Sequence, residues 1–119
     1  TRARAEDLAA DTSHCIEVID WEEKQGVLPD VFTLVNATSL GMIGKPPLEI
    51  DLTYVKPDAL VTDLIYAPLE TQLLRDARAR GCEVVSGIGM LLHQGVPGFE
   101  AWFGYRPVVD EELEALVLT

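Results

Sequence analysis

Two cysteines in 119 residues are too few for a disulfide framework, and Cys15 and Cys82 stand apart from any CxxC or Cys/His metal spacing. They read as reduced thiols of a cytoplasmic protein, and no metal set is expected. Long apolar runs are also missing: none approaches the ~20 residues that a bilayer-spanning helix needs. No basic start leads into an apolar segment, so no leader is read at the front. Positive charge is scarce. Nine Lys and Arg stand against twenty Asp and Glu, a formal net charge of −11. That balance repels phosphate backbones and argues against a nucleic-acid partner; it reads as a solubilising surface. There is no internal repeat and no low-complexity tract. There is no initiator Met either: the chain begins at Thr1 and reads as a piece of a longer protein.

What is present suits one domain with a real core. Apolar residues make up 48% of the chain, which argues against disorder. Residues 3–10 are strong helix formers, with Arg2 and Arg4 at the front, where cations oppose the helix dipole, and Asp11-Thr12-Ser13 as a stop. Apolar segments at 15–21, 31–37, 59–66 and 82–86 read as strands. Residues 26–29 read as a loop and 41–52, with Gly44, Pro46 and Pro47, as a longer one. Pro68 suits the first turn of a helix running to about Arg80 and closed by Gly81. Residues 90–102 are helical in pattern, kinked or split near Gly95, Pro97 and Gly98. Asp110 can cap a last helix that opens with Glu111, Glu112 and Glu114. Strands buried on both faces and alternating with helices predict a parallel, doubly wound α/β sheet.

The stretch 34–42, Leu-Val-Asn-Ala-Thr-Ser-Leu-Gly-Met, carries the most information. It sets an apolar strand directly before a turn of small polar groups. In parallel sheets ligands bind outside the carboxyl ends of the strands. Asn36, Thr38 and Ser39 stand there, and two later strand ends carry similar polar clusters.

Three motifs, taken in order, resemble shikimate dehydrogenase. They are Asn-Ala-Thr-Ser-Leu-Gly-Met at 36–42, Asp-Leu-Ile-Tyr-Ala-Pro-Leu-Glu-Thr at 63–71 followed by Leu73-Leu74, and Gly-Ile-Gly-Met-Leu-Leu-His-Gln at 87–94 continuing to Phe-Glu-Ala-Trp-Phe-Gly at 99–104. The opening Thr1-Arg2-Ala3-Arg4-Ala5 resembles the end of that family's Asn-Arg-Thr-x-x-Arg-Ala segment, which holds the 2′-phosphate of NADP. The resemblance implies a Rossmann-like domain over 1–105, including a helix at 88–103, with a C-terminal helical tail at 106–119. It also implies that the first strands, the Gly-rich phosphate loop, and the substrate domain with the catalytic Lys and Asp have no counterpart here. Gly87-x-Gly89 follows the last strand and has Leu92 where a third Gly belongs, so it fails as a dinucleotide fingerprint.

On this resemblance Thr1, Arg4, Thr38, Ser39, Leu64 and Gly87 serve NADP, while Tyr66 and Gln94 hold shikimate or 3-dehydroshikimate. Arg4 suits a 2′-phosphate because Arg makes bidentate, charge-assisted contacts. Gln94 shares a helical face with Met90 and Leu91, where an amide needs partners to offset desolvation. Asp63 is expected to organise its loop, Asn36 to do this or to face the site, and Phe99 and Trp102 to anchor the core. Arg2 is left to the surface. His14 and His93 belong to no triad, and Lys45 lies outside the family's lysine motif. No catalytic residue is expected in this chain. The whole enzyme is expected to be an NADP-dependent oxidoreductase, with an NAD-linked quinate/shikimate dehydrogenase and a truncated non-catalytic module as alternatives. The segment alone is expected to be inactive and to self-associate through the exposed edge of the 31–37 strand.

Overall fold

A computed structural model describes residues 1–12 and 15–118. The expected stop at Ser13, and His14 beside it, lie outside the described residues.

Three parallel strands form the sheet in the order β1 (Thr33–Asn36), β2 (Leu60–Asp63), β3 (Glu83–Val85). Thr33 pairs with Leu60 and Asn36 with Asp63, so the carboxyl ends of β1 and β2 finish level. Helix α1 is Arg2–Thr12, α2 the single turn Lys24–Val27, α3 Gln72–Ala79, α4 Gly87–Phe103 and α5 Glu111–Val117. The chain is therefore a partial doubly wound α/β unit, with helices flanking a parallel sheet.

Helix α3 turns Leu73, Leu74 and Ala77 onto β2 and β3. These residues, with Leu28, Leu52, Val55, Ala59, Val61 and Cys82, make the core. Burying each large aliphatic side chain there contributes about 1.5–3 kcal/mol. Helix α3 starts later than expected: the Thr71 hydroxyl accepts the Leu74 N–H and caps it, leaving Pro68 in the preceding loop. It ends as expected, at Gly81, whose φ of +93° suits a residue without Cβ.

Four expectations give way to tertiary context. Residues 16–20 form no strand, because among the described residues no other strand pairs with them. The expected loop at 26–29 is wound instead into α2 and the 3₁₀ turn Leu28–Asp30, which buries Leu28. Burial alternates along β1 and β2, so the sheet is covered on one face, while Val35 and Val85 on the other stay about half exposed. Helix α4 is not split, running through Gly95, Pro97 and Gly98 as one element. The Cα radius of gyration, 16.6 Å, exceeds the roughly 13.5 Å typical of a compact domain this long. Helix α1 buries no residue.

Candidate functional site

The carboxyl ends of β1 and β2 carry the most organised polar chemistry in the chain. Among the described residues the buried polar side chains are Asn36, Asp63 and Thr71, and all three belong to one network. Asn36 Nδ2 donates to Asp63 Oδ1 (3.0 Å) and to the Leu40 carbonyl (3.2 Å). Its Oδ1 accepts from the Thr38 N–H (3.1 Å) and the Thr38 hydroxyl (2.8 Å). Asp63 Oδ1 also accepts the Ile65 N–H (3.0 Å), and Oδ2 accepts the Thr71 hydroxyl (2.7 Å). Asn36 and Asp63 are thus structural in this chain, their polar atoms engaged with neighbours.

Above this network lies a cleft of about 340 Å³ walled by residues 37–39 and Met42 on one side and residues 64–67 on the other. The backbone joins the walls as well, since the Ile43 N–H donates to the Ala67 carbonyl at 3.1 Å. The fold therefore brings four of the expected site residues together: Thr38, Ser39, Leu64 and Tyr66. It also separates Thr38 from Ser39. The Thr38 hydroxyl gives its proton to Asn36 and takes the Leu40 N–H, while no bond from the Ser39 hydroxyl or the Tyr66 phenol is found among the described residues. Both groups line the cleft. The volume is at the small end for ligand sites; it suits one ring-bearing group, not a whole dinucleotide. Sequence reasoning overlooked Met42 and Ala67 as wall residues, although both stand in the quoted motifs.

Gly87 supports the cleft from behind. Its N–H donates to the Ile65 carbonyl (3.3 Å), and a Cβ at this position would sit 2.4 Å from the Leu64 carbonyl oxygen. Only glycine lets the start of α4 approach the second wall this closely.

The other expected ligand residues lie elsewhere. Thr1, just before α1, and Arg4, on it, are both exposed, and neither lines the cleft. Arg2 is more engaged than a plain surface residue. It pairs with Asp20 and Glu6, both at 2.7 Å, so local acids offset its unfavourable place at a helix start. The bond it donates to Asp20, then that to Glu6, raises its pKa above the ordinary value. Gln94 is exposed on α4 and carries no desolvation cost here, contrary to the argument from its apolar neighbours. Phe99 and Trp102 are 42% and 81% exposed, so they anchor no core in this chain. On the outer half of α4 only Val96 is buried, while Phe99, Trp102 and Phe103 stay exposed. Lys45 lines a separate cleft with Thr71, Gln72 and Arg75. No helix among the described residues is long and apolar enough to cross a membrane.

Parallel strands, a ligand-sized cleft at their carboxyl ends and small polar groups on its walls define a class: an α/β segment built to hold a small polar molecule or part of a cofactor. No family model matches the chain. It is 57% identical over 117 residues to the shikimate dehydrogenase (NADP(+)) of Rhodospirillum rubrum and 54% identical over 118 residues to that of Paracoccus denitrificans. These matches take in 98% and 99% of this chain but only 41% and 42% of those enzymes. Among solved structures, quinate dehydrogenase from Corynebacterium glutamicum, in complex with NAD, superposes with a TM-score of 0.86 at 33% identity over 98% of this chain and 43% of that one. Shikimate 5-dehydrogenase of Thermus thermophilus, in complex with NADP(H) and shikimate, gives 0.73 at 30% identity over 91% and 39%. The chain belongs to the shikimate dehydrogenase family and spans about two fifths of the length of the curated relatives it matches.

Proposed function

We propose that this chain is the part of an NADP-dependent shikimate dehydrogenase that forms the floor of the nicotinamide and substrate cleft. The observation that carries the reading is the pairing of 57% identity to a named enzyme of that activity with a cleft at the strand ends that gathers Thr38, Ser39, Leu64 and Tyr66. NADPH, when bound in the whole enzyme, supplies the hydride that reduces 3-dehydroshikimate to shikimate. This chain's part is positioning. Leu64 and Met42 give an apolar surface for a flat ring, and Ser39 offers a hydroxyl beside it. Tyr66 holds a substrate hydroxyl or carboxylate, and Gln94 reaches it from α4. Thr1 and Arg4 hold the adenosine 2′-phosphate. Gly87 keeps the second wall in place. The domain division at 105/106 and a cytoplasmic location belong to the same reading.

The resemblance to an NAD-bound quinate dehydrogenase supports a second reading, quinate/shikimate oxidation with NAD. Steady-state kinetics of the complete enzyme separates the two. On the first reading NADP is preferred, and Arg4→Ala lowers the NADP-to-NAD ratio by about ten- to a hundredfold, the worth of a charge-assisted bond. Gln94→Ala and Tyr66→Phe raise the KM for shikimate more than that for the cofactor. A preference for quinate with NAD selects the second reading, and no turnover of either substrate selects a non-catalytic module.

We infer further that the segment on its own is inactive and associates through β1. Even-numbered residues of β1 bond to β2, while the backbone groups of Thr33 and Val35 point along the open edge. Nothing charged stands on that strand to deter a second chain. Light scattering showing a stable monomer would refute the association.

A further inference from the structure

We propose that Asp63 and Thr71 are positioning residues that set the spacing of the two cleft walls from outside the cleft. Both walls hang on one carboxylate. The second wall is held directly, through the Ile65 N–H at 3.0 Å. The first is held through Asn36, whose Nδ2 reaches Asp63 at 3.0 Å and whose Oδ1 takes both the N–H and the hydroxyl of Thr38. The remaining oxygen of Asp63 is fastened by the Thr71 hydroxyl at 2.7 Å, and Thr71 caps α3. Thr71 does not line the cleft; it faces the neighbouring one with Pro68, Gln72 and Arg75.

The arrangement is costly for stability alone. Asp63 is fully buried, and its partners are an amide, a backbone N–H and a hydroxyl, with no cation among them. Burying a carboxylate this way carries a large desolvation cost, and apolar side chains of similar volume often pack as stably. A fully satisfied polar network does something apolar packing does not: it admits one geometry of the groups it joins. No buried side-chain polar atom among the described residues lacks a partner, so the network is complete. A cleft that must align a hydride donor with a carbonyl gains most from such a device, because a 1 Å misplacement there costs about a hundredfold in rate. The turnover consequence rests on the dehydrogenase reading above; the mechanical coupling does not.

The test compares Thr71→Val, Thr71→Ser and Asp63→Asn in the complete enzyme, reading KM and kcat for both substrate and cofactor together with amide hydrogen exchange. Thr71→Val keeps the shape but removes the bond to Asp63. It is expected to raise the KM of substrate and cofactor alike by about five- to tenfold, the worth of one buried hydrogen bond. The Thr38 and Ile65 amides are expected to exchange faster together, beyond any change at the core amide of Val61. Thr71→Ser restores both readouts. Asp63→Asn retains its Oδ1 bonds and falls between the wild type and Thr71→Val. If Thr71→Val lowers the melting temperature but leaves both KM values and both wall amides unchanged, the positioning role is overturned. If only one wall responds, the coupling is overturned. Should the wild-type enzyme turn over no shikimate, the functional reading fails by itself, and exchange at the two walls still decides the coupling.

Discussion

The sheet with α3 and the outer half of α4 with α5 are equally apolar in sequence and opposite in burial. Around β2, Val61, Asp63, Leu74 and Ala77 are sealed from water. Along α4, Trp102 and Phe103 are 81% and 67% exposed, and Leu116 in α5 is 68% exposed. Both regions have good helix or strand formers and proper caps; Asp110 accepts the Leu113 N–H at 2.9 Å just as Thr71 caps α3. What differs is long-range partnership. Strand β2 has neighbours on both sides and a helix across it, whereas α4 is buried only at Gly87, Ile88 and Val96. Local signals place an element, but burial, and most of the stability, comes from what arrives from elsewhere in the chain.

The sharpest way to break this contrast is a pair of truncations in the segment. Leu74→Ala should destabilise it by about 2–5 kcal/mol, the combined transfer and cavity cost in a tight core. Trp102→Ala, although it removes more atoms, should change stability by less than about 0.5 kcal/mol. Denaturant titration of both variants checks this, and comparable losses would mean that α4 is packed.

Gly87→Ala tests the close approach of the start of α4 to the residues that follow β2. The new methyl would meet backbone carbonyls of Leu64 and Ile65, which cannot swing aside as a side chain can. A loss of about 1–3 kcal/mol is expected from the forced shift. Gly95→Ala, with nothing within 4 Å of its added methyl, should be neutral or slightly stabilising by comparison. Melting curves that rank the two the other way would remove Gly87 from its supporting role.

The smallest effect concerns acid. Asp51 caps the turn Leu52–Tyr54, accepting from the Thr53 hydroxyl and N–H. Those bonds, the hydroxyl's first, hold its pKa below the ordinary 3.8. A group depressed in the folded state lends stability that is fully present above 3.8 and is lost as pH falls through the lower folded value. Asp51→Asn should therefore flatten the stability profile only below about pH 4. The gap between the two proteins should close in acid, and one that stays constant from neutral pH into acid would point to another cause.

Much of the candidate site was legible because its parts are short and contiguous. The residues from Asn36 to Met42 put a strand end and a polar turn within seven positions, and those from Asp63 to Thr71 do so again. Three of the strands, the cap at Asp110 and the stop at Gly81 depend on neighbours within a few residues, and such patterns survive in a bare sequence. Residues 16–20 read as a strand for the same local reason, yet a strand exists only when another lies beside it. The exposure of Gln94 and Trp102 was equally invisible, since an apolar helical face looks the same whether or not something packs on it. Likewise, the sequence by itself determined that two strand ends carry Asn, Thr, Asp and Tyr. Only the tertiary structure decided that Asn36 and Asp63, 27 residues apart, bond to each other while Ser39 and Tyr66 are left facing the cleft. The physical reason is that the hydrogen-bond partner of a side chain is chosen by register and packing across the sheet, and no local periodicity encodes that choice.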